Sequence, residues 1–363
     1  MNKIKIFFCG DVMLGRGIDQ ILPYPCNSRI YEPFVKDARD YVKFAEEING
    51  RINYPVSWDY IWGDFLNELE KEAPDLLIMN LETSITTNEE YEPKGINYRM
   101  NPKNIEVLKI LIKDRQRTLV LNLANNHILD YKEKGLLETI QTLKNNNILF
   151  VGAGENIEEA KKALILNFGD FPIIILGCAH ISSGVPLSWQ AKENKPGVNL
   201  IKNLRTSDVC RIEKYKNNGL IIFNIHWGPN WGYEISNEEK YFAHNLIDSG
   251  VDLFFGHSSH HFKGFEIYKD KLIVYGTGDF INDYEGIGGY EEFRSYLVLG
   301  YLVEFDLENK RLTSFKLLPF RIKKLRLNYC KKEEINWIIE VIKRESIFKD
   351  RIYAENNKIE VKI

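Results

Sequence analysis

Five short segments, far apart in the chain, each end an apolar run with polar groups of the kinds that bind metals. They are Phe8-Cys9-Gly10-Asp11, Asn80-Leu81-Glu82, Asn125-Asn126-His127, His226-Trp227-Gly228 and Gly256-His257-Ser258-Ser259-His260-His261. α/β folds place their chemistry in the loops after the carboxyl ends of strands, so five such tips can converge on one pocket. The pattern points to a metal-dependent enzyme.

Asp11 follows an apolar run and a glycine that lets the backbone turn, which suits a hard anionic oxygen ligand. An Asp in that position also commonly caps a turn. Glu82, after Leu76-Leu77-Ile78-Met79, carries the same two readings. Asn125-Asn126-His127 is poorly suited to continuing the buried run Val120–Ala124, whereas amide oxygen and imidazole nitrogen suit an N/O metal shell. The alternative is an Asn-rich turn in which Asp130 caps the next helix. Asp130 could equally accept a hydrogen bond from His127 and fix its tautomer. A lone strand-end histidine such as His226 is more often structural, but Trp227-Gly228-Pro229-Asn230-Trp231 beside it reads as a pocket wall. The segment from Gly256 to His261 carries three of the chain's seven histidines, and neutral imidazole is the commonest metal ligand. His180 and His244 lack such company and read as structural.

These groups need strands to carry them. Short β-rich runs alternate with amphipathic helical stretches, a pattern of βαβ units and a largely parallel sheet. Strands are expected at Ile4–Phe8, Leu76–Asn80, Leu119–Leu123, Ile173–Leu176, Leu220–Ile225 and Val251–Phe255. Helices are expected at Trp62–Glu72, Pro102–Lys113, Lys132–Asn146, Asn203–Lys216 and Asn237–Asp248. After Gly264 strands follow in quick succession, at Phe265–Tyr268, Lys271–Tyr275, Leu297–Asp306 and Arg311–Pro319, and turns such as Lys269-Asp270 imply antiparallel pairing. Lys331–Arg344 reads as a closing helix. Gly17–Ser57, with four prolines around a short charged helix, is expected to fold over the pocket mouth. Tyr284–Tyr290, rich in glycine, reads as a flexible rim rather than a phosphate cradle, because no strand-to-helix context follows it.

With 363 residues, 44% hydrophobic and 27% charged, the chain is long enough to bury a substantial core and has an ordinary globular composition. The formal charge is 48 − 51 = −3 with both signs interleaved, which argues against nucleic acid as a partner. Five widely spaced cysteines without a C-x-x-C pair fit reduced, buried thiols. The first apolar run is too short for a signal-peptide core, and no stretch approaches a membrane span, so the expected location is the cytoplasm.

Taken together, the segments resemble the CapA family, the poly-gamma-glutamate capsule biosynthesis proteins of the calcineurin-like metallophosphoesterase superfamily. The resemblance runs from Gly10 to about Phe280. The family's Gly-Asp-x-Met-x-x-Arg appears as Gly10 to Arg16, its Asn-Leu-Glu at Asn80 to Glu82, its Asn-Asn-His-x-x-Asp at Asn125 to Asp130 and its His-Trp-Gly at His226 to Gly228. Gly-His-x-Pro-His is matched by Gly256 to His260 with Ser259 in place of proline, and Tyr-Ser-x-Gly-Asn-Phe by Tyr275 to Phe280 with two departures.

The resemblance implies a four-layer αββα sandwich of α/β class, with residues 1–325 as the metallophosphoesterase-type domain, 17–57 as a cap insertion, and 326–363 as a helix and tail on the same domain. It implies one or two divalent ions (Mn, Zn, Fe or Mg) held by Asp11, Glu82 as the bridging carboxylate, Asn126, His226, His257 and His260. His127, paired with Asp130, falls where the superfamily keeps a general acid. Arg16 is expected to bind an anionic substrate bidentately, its alternative being a surface salt bridge. Ordinary superfamily members begin with Asp-x-His, whereas this chain has Asp11-Val12-Met13, and a thioether is a poor ligand for a hard ion. One site is therefore expected to bind more weakly. The leading expectation is a hydrolase of phosphoesters linked to capsule or poly-gamma-glutamate-like polymer synthesis, acting on an anionic small molecule or polymer beside polymer-synthesis enzymes. The alternatives are a non-catalytic metal-binding component of such a complex and an enzyme acting on glutamyl amide bonds.

Overall fold

The computed structural model describes residues 3–113, 117–204, 212–347, 351–355 and 357–363. The chain begins in one sheet, crosses to a second and returns to the first. Strands β1 (Lys3–Val12), β2 (Leu76–Leu81), β3 (Thr118–Asn122) and β4 (Leu149–Val151) lie side by side and parallel. Helix α1 (Arg16–Ile21), α2 (Arg39–Asn49) and α3 (Phe65–Glu72) fall between β1 and β2, and α4 (Lys132–Asn145) precedes β4. In α2 the buried residues Tyr41, Val42 and Ala45 share one face, as helical periodicity requires, and Gly50 ends the helix at φ 81.

The second sheet contains β5 (Leu164–Phe168), β6 (Phe171–His180), β7 (Leu200–Ile201), β8 (Leu220–His226), β9 (Leu253–His257), β10 (Phe265–Tyr268) and β11 (Lys271–Val274). Its central strands β6, β8, β9 and β11 are parallel, and β10 joins β11 as an antiparallel hairpin. Lys269 and Asp270 both hold positive φ at the turn, the geometry that matches the twist of a tight hairpin. Helix α5 (Asn237–Asp248) is closed at its start by a reciprocal bond pair between Ser236 and Glu239. The chain then returns through β12 (Asp279–Ile281), β13 (Leu297–Asp306), β14 (Arg311–Ile322) and β15 (Leu327–Tyr329). Helix α6 (Lys332–Glu345) follows, then β16 (Ile352–Glu355) and β17 (Lys358–Val361), which extend the first sheet beyond β14.

Alternation along the strands sorts the side chains into layers. Phe7, Leu77, Met79 and Leu121 pack outward against Phe65 and Leu69 of α3 and Leu136 and Ile140 of α4. Ile6, Phe8, Ile78 and Val120 face inward and meet Ile175, Ile222 and Phe255 of the second sheet, with Ile338 and Ile342 of α6 in the same cluster. Ile174, Phe223, Ile225 and Phe254 point away from that interface, onto Phe242 and Leu246 of α5. The protein is an αββα sandwich.

One local expectation differs. Instead of one helix over Pro102–Lys113, the chain forms a 3₁₀ turn at Pro102–Asn104 and a single α turn at Glu106–Lys109. Its bonds mix i−3 and i−4 partners, and this tighter winding turns Val107, Leu108 and Leu111 into the core. Half of the expected Asn203–Lys216 helix, residues 205–211, lies outside those described. Short strands at β4, β5 and β12 and the β16–β17 hairpin had no clear periodic signal.

Candidate active site

β1, β8 and β9 deliver Asp11, His226 and His257 from their carboxyl ends, whereas Asp279 opens β12. Asp11 lies near the end of β1, opposite Asn80 of β2 on one side and Asp279 of β12 on the other. Asn80 Nδ2 donates to Asp11 Oδ1 at 2.7 Å, and Asn80 Oδ1 accepts from Asn122 at 2.9 Å and Asn125 at 3.2 Å. This amide chain ties the ends of β1, β2 and β3 together. On the second sheet His226 and His257 are register partners on β8 and β9, with their Nδ1 atoms 2.9 Å apart. Ser258 holds φ 106, a region costly for a residue with a side chain, and its N–H donates to Asp11 Oδ2 at 3.2 Å.

Two clusters with metal-ligand spacing result, Asp11 with His226 and His257, and Asp11 with His260 and Asp279, the ligand atoms of each lying within 4.8 Å of one another. Asn126 joins the first, its Oδ1 lying 3.1 Å from His226 Nε2. The carboxylate common to both clusters is Asp11. Glu82, read from sequence as the bridge, stands beside them with its carboxyl hydrogen-bonded to that of Asp11. His260 Nδ1 lies 3.0 Å from Asp279 Oδ1, and Asn282 donates to the other Asp279 oxygen at 2.6 Å. Met13 is buried, and its backbone N–H bonds Ile281 of β12.

The electrostatics fit a cation. Burial, then the charge of Asp279, pushes Asp11 up to about 7, and burial with Asp11 beside it carries Glu82 well above the ordinary carboxylate range. Burial lowers His257 to about 3 and, with His257 adjacent, holds His226 neutral. Burial opposes the charged form of His260, but Asp279 outweighs it and raises this histidine. Crowded carboxyls sharing a proton beside neutral imidazoles are the donor set a divalent ion satisfies.

His127 lies at the rim of this cluster, its ring stacked on Tyr98 at 3.9 Å between centroids. Its Nδ1 is 2.6 Å from Asp130 Oδ2, and its Nε2 is 3.7 Å from Glu82 Oε1. Asp130 also accepts from the Tyr98 N–H at 2.6 Å and pairs with Lys94 at 2.7 Å. Burial followed by Lys94 keeps the His127 imidazole neutral, and burial pushes Asp130 up to about 7. His127 and His260 open onto a cavity of about 1050 Å³, walled by Tyr98, Trp231, Tyr284 and Tyr290.

Arg16 lines the same cavity but is buried. Its Nε and Nη2 face Asp283, its Nη1 meets Glu32 at 2.9 Å, and its plane lies 3.8 Å over Tyr41. Its donors are engaged by the protein's own carboxylates. His261, the third histidine of its cluster, is held by the Gly232 N–H and the Phe262 carbonyl. His244 pairs with Glu266 and His180 with Ser182, away from the clusters. Sequence reasoning missed Asp279, although an acid in place of the amide of Gly-Asn-Phe was a visible signal. It also missed Asn80 as an organiser and Lys94, which sits in an ordinary Pro-Lys-Gly turn with nothing to mark it.

The chain is similar to known proteins over most of its length. A probable polyglutamine synthesis accessory protein of Mycobacterium tuberculosis is 42% identical over 353 residues, covering 95% of this chain and 92% of that one. The PGA biosynthesis protein CapA of Bacillus subtilis is 26% identical over 350 residues, 96% of this chain and 80% of the relative. Among solved structures, a novel phosphatase of Mycoplasma pneumoniae overlays 93% of this chain and 97% of its own, with a TM-score of 0.49 and 15% identity. The family model described as bacterial capsule synthesis protein PGA_cap matches residues 5–284, and the chain belongs to that family.

Proposed function

We propose that this protein is a metal-dependent hydrolase of the phosphoester type, working as an accessory to polymer-synthesis enzymes that make a capsule or polyglutamate-like chain. The observation that carries the chemistry is the shared Asp11, flanked by His226–His257 and His260–Asp279, with Asn126, His260 and the neighbouring His127 of the His127–Asp130 pair lining a large cavity. A divalent pair held there would polarise a substrate oxygen and lower the pKa of water. The family and the names of its relatives support the polymer setting.

The chain's own residues then have defined parts. With the shared proton on Asp130, Nδ1 of His127 accepts it and Nε2–H is the donor presented to a leaving group. Tyr98 fixes the ring plane by stacking, and Lys94 tethers Asp130 at 2.7 Å with its ammonium 3.3 Å from His127 Nδ1. The free thiols Cys9 and Cys330, both buried, support a reducing cytoplasmic setting. Among the described residues no helix is long and apolar enough to cross a membrane.

The test is turnover of aryl phosphomonoesters and phosphodiesters with manganese added, before and after chelation. Activity should require the metal and vanish in Asp11→Asn. A manganese-loaded protein inert on that whole panel overturns the phosphoesterase reading. Glutamyl amide cleavage would then mark amide chemistry, and inertness there too would mark a non-catalytic component.

A further inference from the structure

The cavity that His127 and His260 line has further charged residues in its wall. Trp231 lines it too, its ring 5.4 Å from that of His260 and stacked on Tyr290 at 4.0 Å. The lining also includes Arg294, Ser295, Tyr296 and Arg321. Each cation nearer the clusters is already compensated: Arg16 by Asp283 and Glu32, Lys94 by Asp130, His260 by Asp279. Of the two acids in the lining, Glu285 is engaged by the Lys324 and Leu325 N–H groups and by Asn49, and Glu291 accepts from the Gly289 N–H at 2.9 Å.

Arg294 differs. Among the described residues it has no carboxylate partner, and its guanidinium carbon lies 4.7 Å over the Trp337 ring. A guanidinium stacked by its face keeps its N–H edge free for a planar or tetrahedral oxyanion. Its backbone holds φ 45, a conformation seldom adopted by a residue with a side chain, at the end of the 3₁₀ turn Glu291–Phe293. Arg321, beside it in the lining, pairs with Glu334 at 2.7 Å on one nitrogen, while its buried Nε has no hydrogen-bond partner. That nitrogen is sealed from solvent, so Arg321 contributes its charge to the cavity wall rather than this donor.

We propose that Arg294, assisted by Arg321, forms a second oxyanion subsite, so that the protein's substrate is an extended molecule with one anionic group at the Asp11 end and another, a carboxylate or phosphate, at the Arg294 end. This rests on the proposed function for which end reacts, and adds the class of molecule that reaches it. Tyr290, Tyr296 and Trp231 line the same cavity, giving it apolar walls with polar tips.

The test is calorimetric titration of the full chain, with and without manganese, using alkyl monophosphates and the α,ω-bisphosphates of matching chain length, then α,ω-dicarboxylates. Once the chain spans the cavity, the bisphosphate should bind at least about tenfold more tightly than its monophosphate, as one added charge-assisted contact gives. Arg294→Asn, whose side chain tolerates the left-handed backbone, should remove that gain and leave monophosphate binding unchanged. Arg294→Lys should keep part of it. A matching Arg294-dependent gain for dicarboxylates assigns the subsite to carboxylates as well; its restriction to bisphosphates assigns it to phosphate. No gain at any chain length in the wild-type protein, a gain that survives Arg294→Asn, or equal weakening of both probe classes overturns the subsite. The response of monophosphate affinity to manganese reports on the metal end separately, so the two readings fail independently.

Discussion

Met13 and Asp279 show how one residue's chemistry is replaced by another's position. The thioether of Met13 offers little to a hard ion, but β12 runs parallel to β1 and places the Asp279 carboxylate opposite Asp11, within reach of His260. Where the first motif lacks an imidazole, a carboxylate stands close by from a segment more than 260 residues later. At this scale His127 and Asn126 should separate cleanly. His127 is stacked and hydrogen-bonded outside both clusters, whereas Asn126 Oδ1 points at His226. His127→Ala should keep metal content near wild type and lower turnover by about 10²–10⁴-fold, while Asn126→Ala should lose metal as well. Elemental analysis alongside steady-state rates checks both, and metal release by His127→Ala would make that residue a ligand.

Strand ends and the short turns just beyond them aim the site, and glycine makes one of those approaches possible. A Cβ on Gly10 would lie 1.8 Å from the Gly278 carbonyl oxygen, which itself accepts from the Asp11 N–H at 3.0 Å. Gly10→Ala must therefore push β12 away from β1 and carry Asp279 from Asp11. The expected outcome is a stability loss of about 1–3 kcal/mol or more by denaturant unfolding, together with loss of metal from the His260–Asp279 cluster. Unchanged metal stoichiometry in a folded Gly10→Ala protein would show that this strand contact does not position the cluster. The main strands and helices were visible in sequence because their apolar residues recur with periods near two or 3.6. β12 was not, since three residues give periodicity nothing to act on, and with it Asp279 was overlooked.

For the molecule as a whole, the site exists because two sheets pack face to face with their carboxyl ends on one side. Phe8 is at the centre of that contact, fully buried, with its ring 4.5 Å from Phe255 and 5.1 Å from Tyr301. It stands three residues before Asp11, and Phe255 stands two before His257. Phe8→Ala should cost about 3–5 kcal/mol of folding stability. Metal affinity should fall with it, because the packing that sets the sheet spacing also sets the distance from Asp11 to the histidines. Urea unfolding and metal titration on the same variant check this. A large stability loss with wild-type metal affinity would mean that the strand tips hold the site without the core beneath them.

The sequence by itself determined the α/β class, most strand and helix positions and the chemical identity of the strand tips, since these depend on local pattern and residue type. It also carried, through its motifs, the family to which the chain belongs. Only the tertiary structure decided that Asp11 is the carboxylate common to both clusters, that Glu82 stands beside it, that Asp279 joins it, and that Arg16 is sealed between Asp283 and Glu32. Those outcomes depend on which distant strands become neighbours and on how charges compensate once water is excluded, and neither distance nor burial is encoded in the spacing of residues along one chain.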